Sequence, residues 1–456
     1  MNLDNKELKN LKNIDVIFFS AFDHNEGKPN HGLFQMFDFF RNNLKIKSIF
    51  VNTLESLYKN NIDVFDVSLL GDNMRLAQQI NHDFIYLNVK DDHEQYIKRA
   101  ADILIKNLPD HKFIALADKA DINLPILELV LKHFKSKVII LSAVNNTWTG
   151  GCSYPSEHNC DKFKTKEGCR SPCPDLFGKA SGSEELLISN FNSTKNFVKR
   201  NQDAVILNVG NNFSYQEANQ SFIFKDVEKV LIPLKNSFYD YDFDILWQTK
   251  VEQRKNILQS IENQSSINVE NIKFIMTWAA HDIAIKRKGM EYFITSLKIL
   301  KHLMKIDRYN EMLLLVCAQV GDKNVATQIQ DLNIPVVFTG HVDKDTYNTI
   351  LSASDISCST TIGDAGPRTT YESAALATPV ISFDSCNASD FVNESNGALV
   401  PAYDTKRFAE EMYRFANYSE KQKRQISFNM YETYKSLMDT DRLVGKWEEF
   451  FNNHGI

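Results

Sequence analysis

One pattern constrains this chain more than any other. A short β-branched run, a polar loop and an amphipathic helix follow one another repeatedly. IDVIFFS, Ile14 to Ser20, is a candidate first strand, with a helix near Leu33 to Asn42 and a second strand around Ile46 to Val51. KFIALA, Lys112 to Ala117, precedes a helix from about Leu124 to Phe134. KVIILSA follows at once, and DAVILNV and VEKVLIP read as two further strands. Apolar runs alternating with helices imply crossover units and a mostly parallel sheet covered on both faces.

The stretch from about Leu234 to Asn271 breaks the alternation and reads as an interdomain connection. The pattern then restarts with IKFIMTWA, a helix from Met290 to Met304, MLLLVCAQV, a helix near Asn324 to Leu332, and IPVVFTG. A helix near Lys344 to Leu351 and the strand DISCS come next, and the tail after Asp404 reads as helical. The expected fold class is therefore α/β, with two Rossmann-like lobes and a cleft between them. Ligands of such sheets bind outside the carboxyl ends of the strands. At 456 residues the chain exceeds what one core usually holds, which fits two domains.

Composition narrows the function classes. A net charge of −6 makes a nucleic-acid partner a poor expectation. No apolar run approaches the length of a membrane span, and MNLDNKELKNLKN lacks a signal-peptide core. A cytoplasmic location is expected.

GDAGPRTTYESAALATPVISFD, from Gly363 to Asp384, holds two acids eight residues apart. Gly366-Pro367 marks a helix start, and Pro379 stops the helix. Asp364 then sits just ahead of the helix N-terminus and Glu372 lies inside it, roughly 12 Å away if all the intervening residues were helical. Between them lie free amides and the positive end of the helix dipole, which suit an anion. A hexose, a diphosphate and a ribose would fit that order, with Asp364 accepting from the hexose and Glu372 from the ribose. The plainer alternative is that both acids only favour the dipole.

This stretch resembles the retaining glycosyltransferases of the GT-B fold, glycosyltransferase family 4. That family carries Glu, seven residues, Glu, then EA, a small residue and GTPVV; here Asp364, seven residues and Glu372 lead into SAALATPVI. VVFTGHVDKDTYNTILSASDI, NGALVPAYDTKRFAEEMYRF and MTWAAHDIAIKRKGMEYFITSLKIL extend the resemblance through the second lobe. It implies domains at 1–245 and 246–436, with a helix at 437–456 returning to the first lobe. The implied donor is a nucleoside diphosphate-sugar. Lys288 would contact its diphosphate, with adjacent Arg287 standing in for the family's usual Arg, whose position is Ile283 here. Gly366, Arg368, Thr369 and Thr370 would present the helix start to the phosphates, and Gly32 in NHGLFQ would approach them from the first lobe. The bland alternative for KRK is a solvated charge run. Transfer would proceed with retention, to a glycan or lipid-linked acceptor, with peripheral membrane contact allowed and the oligomeric state open.

Cys152, Cys160, Cys169 and Cys173 fall within 22 residues, in an insertion at 149–178. A structural zinc site is expected, with two disulfides or free thiols as the alternatives. The segment resembles a subgroup from bacterial polysaccharide assembly that carries TGGC. That subgroup places His-Asp shortly before it, where this chain has Ala143 and Val144. A catalytically silent nucleotide-sugar binder is therefore a second expectation, and an epimerase or hydrolase of the same architecture a third. Asp240, Asp242 and Asp244 mimic a metal-binding Asp-x-Asp but read as loop. His24, Glu26 and His31 read as polar loop residues.

Overall fold

The computed structural model describes residues 123–455 with short gaps, among them 143–144, 175–183 and 234–241. Before these it describes the strands and some helical residues that follow Val16. The chain divides into two compact units, Met1–Asn236 with Thr440–Ile456, and Ser237–Asp439.

The first unit is built on an eight-stranded sheet. Its strands are β1 (Val16–Asp23), β2 (Lys28–Pro29), β3 (Ser48–Thr53), β4 (Phe84–Leu87), β5 (Ile114–Ala117), β6 (Lys137–Ser142), β7 (Val205–Val209) and β8 (Glu228–Val230). They run in the order β4-β3-β1-β5-β6-β7-β8, all parallel, while β2 folds back antiparallel on β1. Both faces are buried, as the apolar runs require. Ile17, Val138, Ile140, Val205 and Leu207 join one core with helices α1 (Asn123–Phe134) and α2 (Glu184–Arg200). Val16, Phe18, Ile139, Leu141 and Ile206 point the other way, onto Phe40 and the C-terminal residues Trp447, Phe450 and Phe451. Phe40 meets Trp447 and Phe451 edge-on, at 4.9 and 5.6 Å between ring centres.

The second unit carries a parallel sheet of six strands in the order β11-β10-β9-β12-β13-β14. These are β9 (Phe274–Asp282), β10 (Met312–Gln319), β11 (Val336–Phe338), β12 (Ile356–Ser359), β13 (Val380–Asp384) and β14 (Gly397–Pro401). Alternate residues again feed opposite faces: Phe274, Met276 and Trp278 pack on one side, Ile275 on the other. The stretch expected as connection contains a 22-residue helix, α3 (Phe243–Gln264), which packs on this unit. Asp242 caps it by accepting the Asp244 amide at 2.8 Å, so Asp244 is helical rather than loop, and it pairs with Arg424.

Helices α4 (Met290–Leu303), α5 (Lys344–Ala353), α6 (Arg368–Ala375), α7 (Thr405–Ala416) and α8 (Glu420–Met438) complete this unit. Asp355, just before β12, accepts from Arg254 at 2.6 Å, Lys423 at 3.1 Å and the Ile275 amide at 2.7 Å. That carboxylate ties α3 and α8 to the amino end of the sheet. Lys250 on α3 donates to the Ser352 and Ser354 carbonyls there.

Candidate functional site

Strand order reverses between β9 and β12, which are neighbours in the sheet yet far apart in sequence. Loops leaving two such strands diverge and open a crevice at their carboxyl ends. Here the two loops are stitched together. The Trp278 indole donates to the Thr360 hydroxyl at 3.1 Å, that hydroxyl donates to the Lys288 carbonyl at 3.2 Å, and the Ile362 amide donates to the Arg287 carbonyl at 2.9 Å. Gly289 makes the approach possible. Its φ is +72°, and a Cβ there would stand 2.0 Å from the Thr360 carbonyl oxygen.

The stitching delivers two cations to one acid. Arg287 Nη1 and Lys288 Nζ both donate to Asp364 Oδ2, at 2.8 and 2.5 Å. The side chains are 15, 13 and 11% exposed respectively, so this is no solvated charge run. The Gly366 amide donates to Oδ1 at 3.3 Å. Burial pushes the Asp364 carboxyl up, but Lys288 and then Arg287 outweigh it and hold the group below the usual carboxylate range. The Asp364 amide in turn donates to Cys386 Sγ at 3.1 Å. Cys386 follows β13 with φ +58°, and burial pushes its thiol up to about 11. Ile283, at the position of the resembled family's Arg, is a core residue.

The second acid stands on α6, which packs against α8 through Ala374, Ala375, Met430 and Tyr434. Glu372 is buried. Its Oε1 receives Lys344 Nζ at 2.7 Å and Arg368 Nη2 at 3.5 Å. Lys344 opens α5 and Arg368 opens α6, so both cations stand at helix starts. Thr369 and Thr370 occupy the same first turn of α6; the Thr370 hydroxyl is buried and makes no hydrogen bond among the described residues. Each acid thus has two cations.

Lys288, Arg287 and Asp364 therefore meet, and Gly366 joins them through its amide, while Glu372, Arg368, Thr369 and Thr370 share one short helix. Gly32, Ala143, Val144, His24, Glu26, His31 and Asp240 lie outside the described residues. Lys344 and Cys386 had not been singled out from the sequence as site residues. A lysine at the first position of a helix, against the dipole, was the available sign of the first.

The cysteine expectation needs correction. Cys152, Cys160, Cys169 and Cys173 do line one small cavity with Lys162, Phe163 and Arg170, and none of the four is joined in a disulfide. Among the described residues, however, no three His, Cys, Asp or Glu side chains are grouped so as to hold a metal ion. Cys169 Sγ instead accepts the Gly150 amide at 3.1 Å, and two cations share the lining. The described residues do not fit the expected zinc site. Trp148 is wholly buried in the first unit's core. Among the described residues no helix is long and apolar enough to cross a membrane.

Residues 273–417 match the family model of glycosyl transferases group 1. No curated protein matches the sequence. Solved structures do match the whole chain. HepE of Anabaena, in complex with UDP, shares 12% identity over 96% of this chain and 100% of its own, with a TM-score of 0.61. A glycosyltransferase from Rickettsia africae shares 14% over 97% and 98%, also at 0.61. Sucrose-phosphate synthase from Thermosynechococcus elongatus shares 12% over 96% and 98%, at 0.59. The chain has the GT-B fold, and the segment that matches group 1 glycosyl transferases is the part of its second unit that holds both acid–cation groups.

Proposed function

We propose that this protein is a glycosyltransferase that takes a sugar from a nucleoside diphosphate-sugar. The observation that carries this is the Arg287–Asp364–Lys288 group, set at the strand reversal and beside the start of α6. The cations are pre-placed for the diphosphate, and Asp364 is held ionised to accept sugar hydroxyls. Gly366, Arg368, Thr369 and Thr370 present the helix start to the phosphates, and Glu372 takes the ribose. HepE is known in complexes with UDP and with UDP-glucose, which supports this donor class.

In the reaction, the bond from the anomeric carbon to the diphosphate oxygen breaks and a bond to the acceptor oxygen forms. The acceptor's proton passes to a leaving phosphate oxygen. Charge developing on that leaving group is met by Lys288, Arg287 and the helix amides, so the transfer step draws on fixed protein cations rather than a divalent ion. Retention of configuration and a glycan or lipid-linked acceptor in cell-surface polysaccharide assembly follow the family resemblance. So do the domain limits 1–245 and 246–436, the helix at 437–456, and the approach of Gly32 to the phosphates. A silent nucleotide-sugar binder is the second reading, favoured by Ala143 and Val144 where the subgroup has His-Asp.

A thermal-shift screen of uridine, guanosine, adenosine, cytidine and thymidine diphosphate-sugars tests the donor. One of them stabilises the protein, and Glu372→Ala removes the shift. If none does so at millimolar concentration, the reading is wrong. Transfer of a radiolabelled sugar from the stabilising donor to material in a cell extract separates the enzyme from the silent binder.

A further inference from the structure

Lys344 and Arg368 both engage Glu372 through Oε1. A carboxylate oxygen offers two lone-pair sites, so contacts at Oε1 leave those of Oε2 to other donors. The two cations hold it unequally. Lys344 sits at 2.7 Å, within hydrogen-bond distance, and its side chain is 43% exposed; Arg368 stands at 3.5 Å and is 60% exposed. The closer, less exposed contact therefore falls to Lys344.

Lys344 occupies a place its own helix disfavours. It is the first residue of α5, where the dipole repels a cation, and Asp343 before it already caps the helix by accepting the Thr346 amide at 2.9 Å. The lysine adds nothing to that cap. Its ammonium lies 5.8 Å from the centre of the Tyr347 ring, which steadies its stem one turn on. The Tyr347 hydroxyl is buried beside this group. Burial first, and then the Glu372 charge, raise it well above the ordinary phenol range.

We infer that Lys344 is a positioning residue. By tying Oε1 it turns Oε2 toward the nucleoside and makes the site discriminate a ribose, with its vicinal diol, from a 2′-deoxyribose. This rests on the nucleotide-binding reading above. It adds a requirement that reading does not make, that the contact from α5 sets the sugar preference of the nucleotide.

The test is isothermal titration calorimetry on the full chain with UDP, GDP, ADP and CDP, each against its 2′-deoxy counterpart. The native protein prefers the ribo form of the nucleotide it binds by roughly tenfold or more, the loss expected when a hydroxyl to a charged acceptor is removed. Lys344→Met brings that ratio below about threefold, and Lys344→Arg restores most of it. Lys344→Gln, which keeps a polar stem, serves if the methionine variant does not fold, as judged by its urea midpoint. A native protein that binds none of the four overturns this inference, and the nucleotide reading falls with it if thymidine diphosphate does not bind either. Binding without ribo preference, or a preference unchanged by Lys344→Met or Lys344→Gln, overturns the inference and leaves the nucleotide reading standing.

Discussion

Replacing Asp364 by Asn removes a charge and almost no volume, which makes it the sharpest probe of the second unit. Two charge-assisted bonds are lost, to Arg287 at 2.8 Å and Lys288 at 2.5 Å. Each such bond contributes about 1.5–3 kcal/mol. The larger cost is what remains, because two cations only 15 and 13% exposed stay side by side after losing the carboxylate they share. Breaking one partner of a fully buried pair costs about 3–5 kcal/mol. These groups keep some contact with water, and the asparagine oxygen can still accept the Gly366 amide, so about 3 kcal/mol is expected. For a unit the size of Ser237–Asp439 this lowers the melting temperature by roughly 6–12 °C. Urea denaturation followed by circular dichroism measures it. A second substitution checks the cause: Lys288→Met added to Asp364→Asn removes one stranded cation, so the pair is less damaging than the sum of the single variants. The coupling expected is about 1–2 kcal/mol. A single variant within about 0.5 kcal/mol of the native protein, or strict additivity of the two, refutes the reasoning.

Two further outcomes follow from the same geometry. Gly289→Ala places a Cβ against the Thr360 carbonyl at a left-handed φ of +72°, so the variant loses roughly 2 kcal/mol or more of stability, read as a shifted urea midpoint; an unshifted midpoint would show that the two loops are not in contact. Burial pushes the Lys250 ammonium down to about 8, while the unfolded chain keeps it near 10.5. Between those values the unfolded state binds the extra proton, so stability rises with pH across that window. Lys250→Met flattens the rise, and equal slopes for the two proteins would contradict the assignment.

Sequence and structure agree where burial writes its pattern into consecutive residues. Strands such as β6 and β10 are covered on both faces and are apolar almost throughout, so they can be read directly. Helix α3 hides for the opposite reason. Only Phe243, Leu246 and Ile261 are buried along its 22 residues, too sparse a stripe to show as periodicity. Strand β4 is four residues at the sheet edge and was not distinguished from its polar surroundings. The candidate site divides in the same way. Asp364, Arg368 and Glu372 lie within one short stretch, and Arg287 and Lys288 share one turn, so local spacing exposes them. Lys344 reaches Glu372 from 28 residues away, a meeting that topology alone produces. Cys386 adopts φ +58° and receives the Asp364 amide, and neither property is visible in a residue type usually buried as a small hydrophobe. Cysteine spacing gathered four thiols around one cavity without setting the convergence a metal requires.

The pairing of every acid with two cations also explains how such a site avoids defeating itself. An unpaired carboxylate beside a helix start would compete with an incoming phosphate for the same amides and cations. Here each acid's charge is already met before any ligand arrives, Asp364 by Arg287 and Lys288, Glu372 by Lys344 and Arg368. The start of α6 adds its dipole between the two groups. The cations and the dipole favour an anion, while carboxylate lone pairs favour neutral hydroxyls. On the proposed reading, a site ordered in this way takes a ligand with an anionic middle and hydroxylated ends. Adding surplus negative charge is therefore more damaging than removing bulk: Lys288→Glu weakens binding of a nucleoside diphosphate more than Lys288→Ala does, by a margin that shrinks as salt is raised. Calorimetry at low and high ionic strength measures that margin, and equal losses for the two variants at low salt would show that charge does not govern the site.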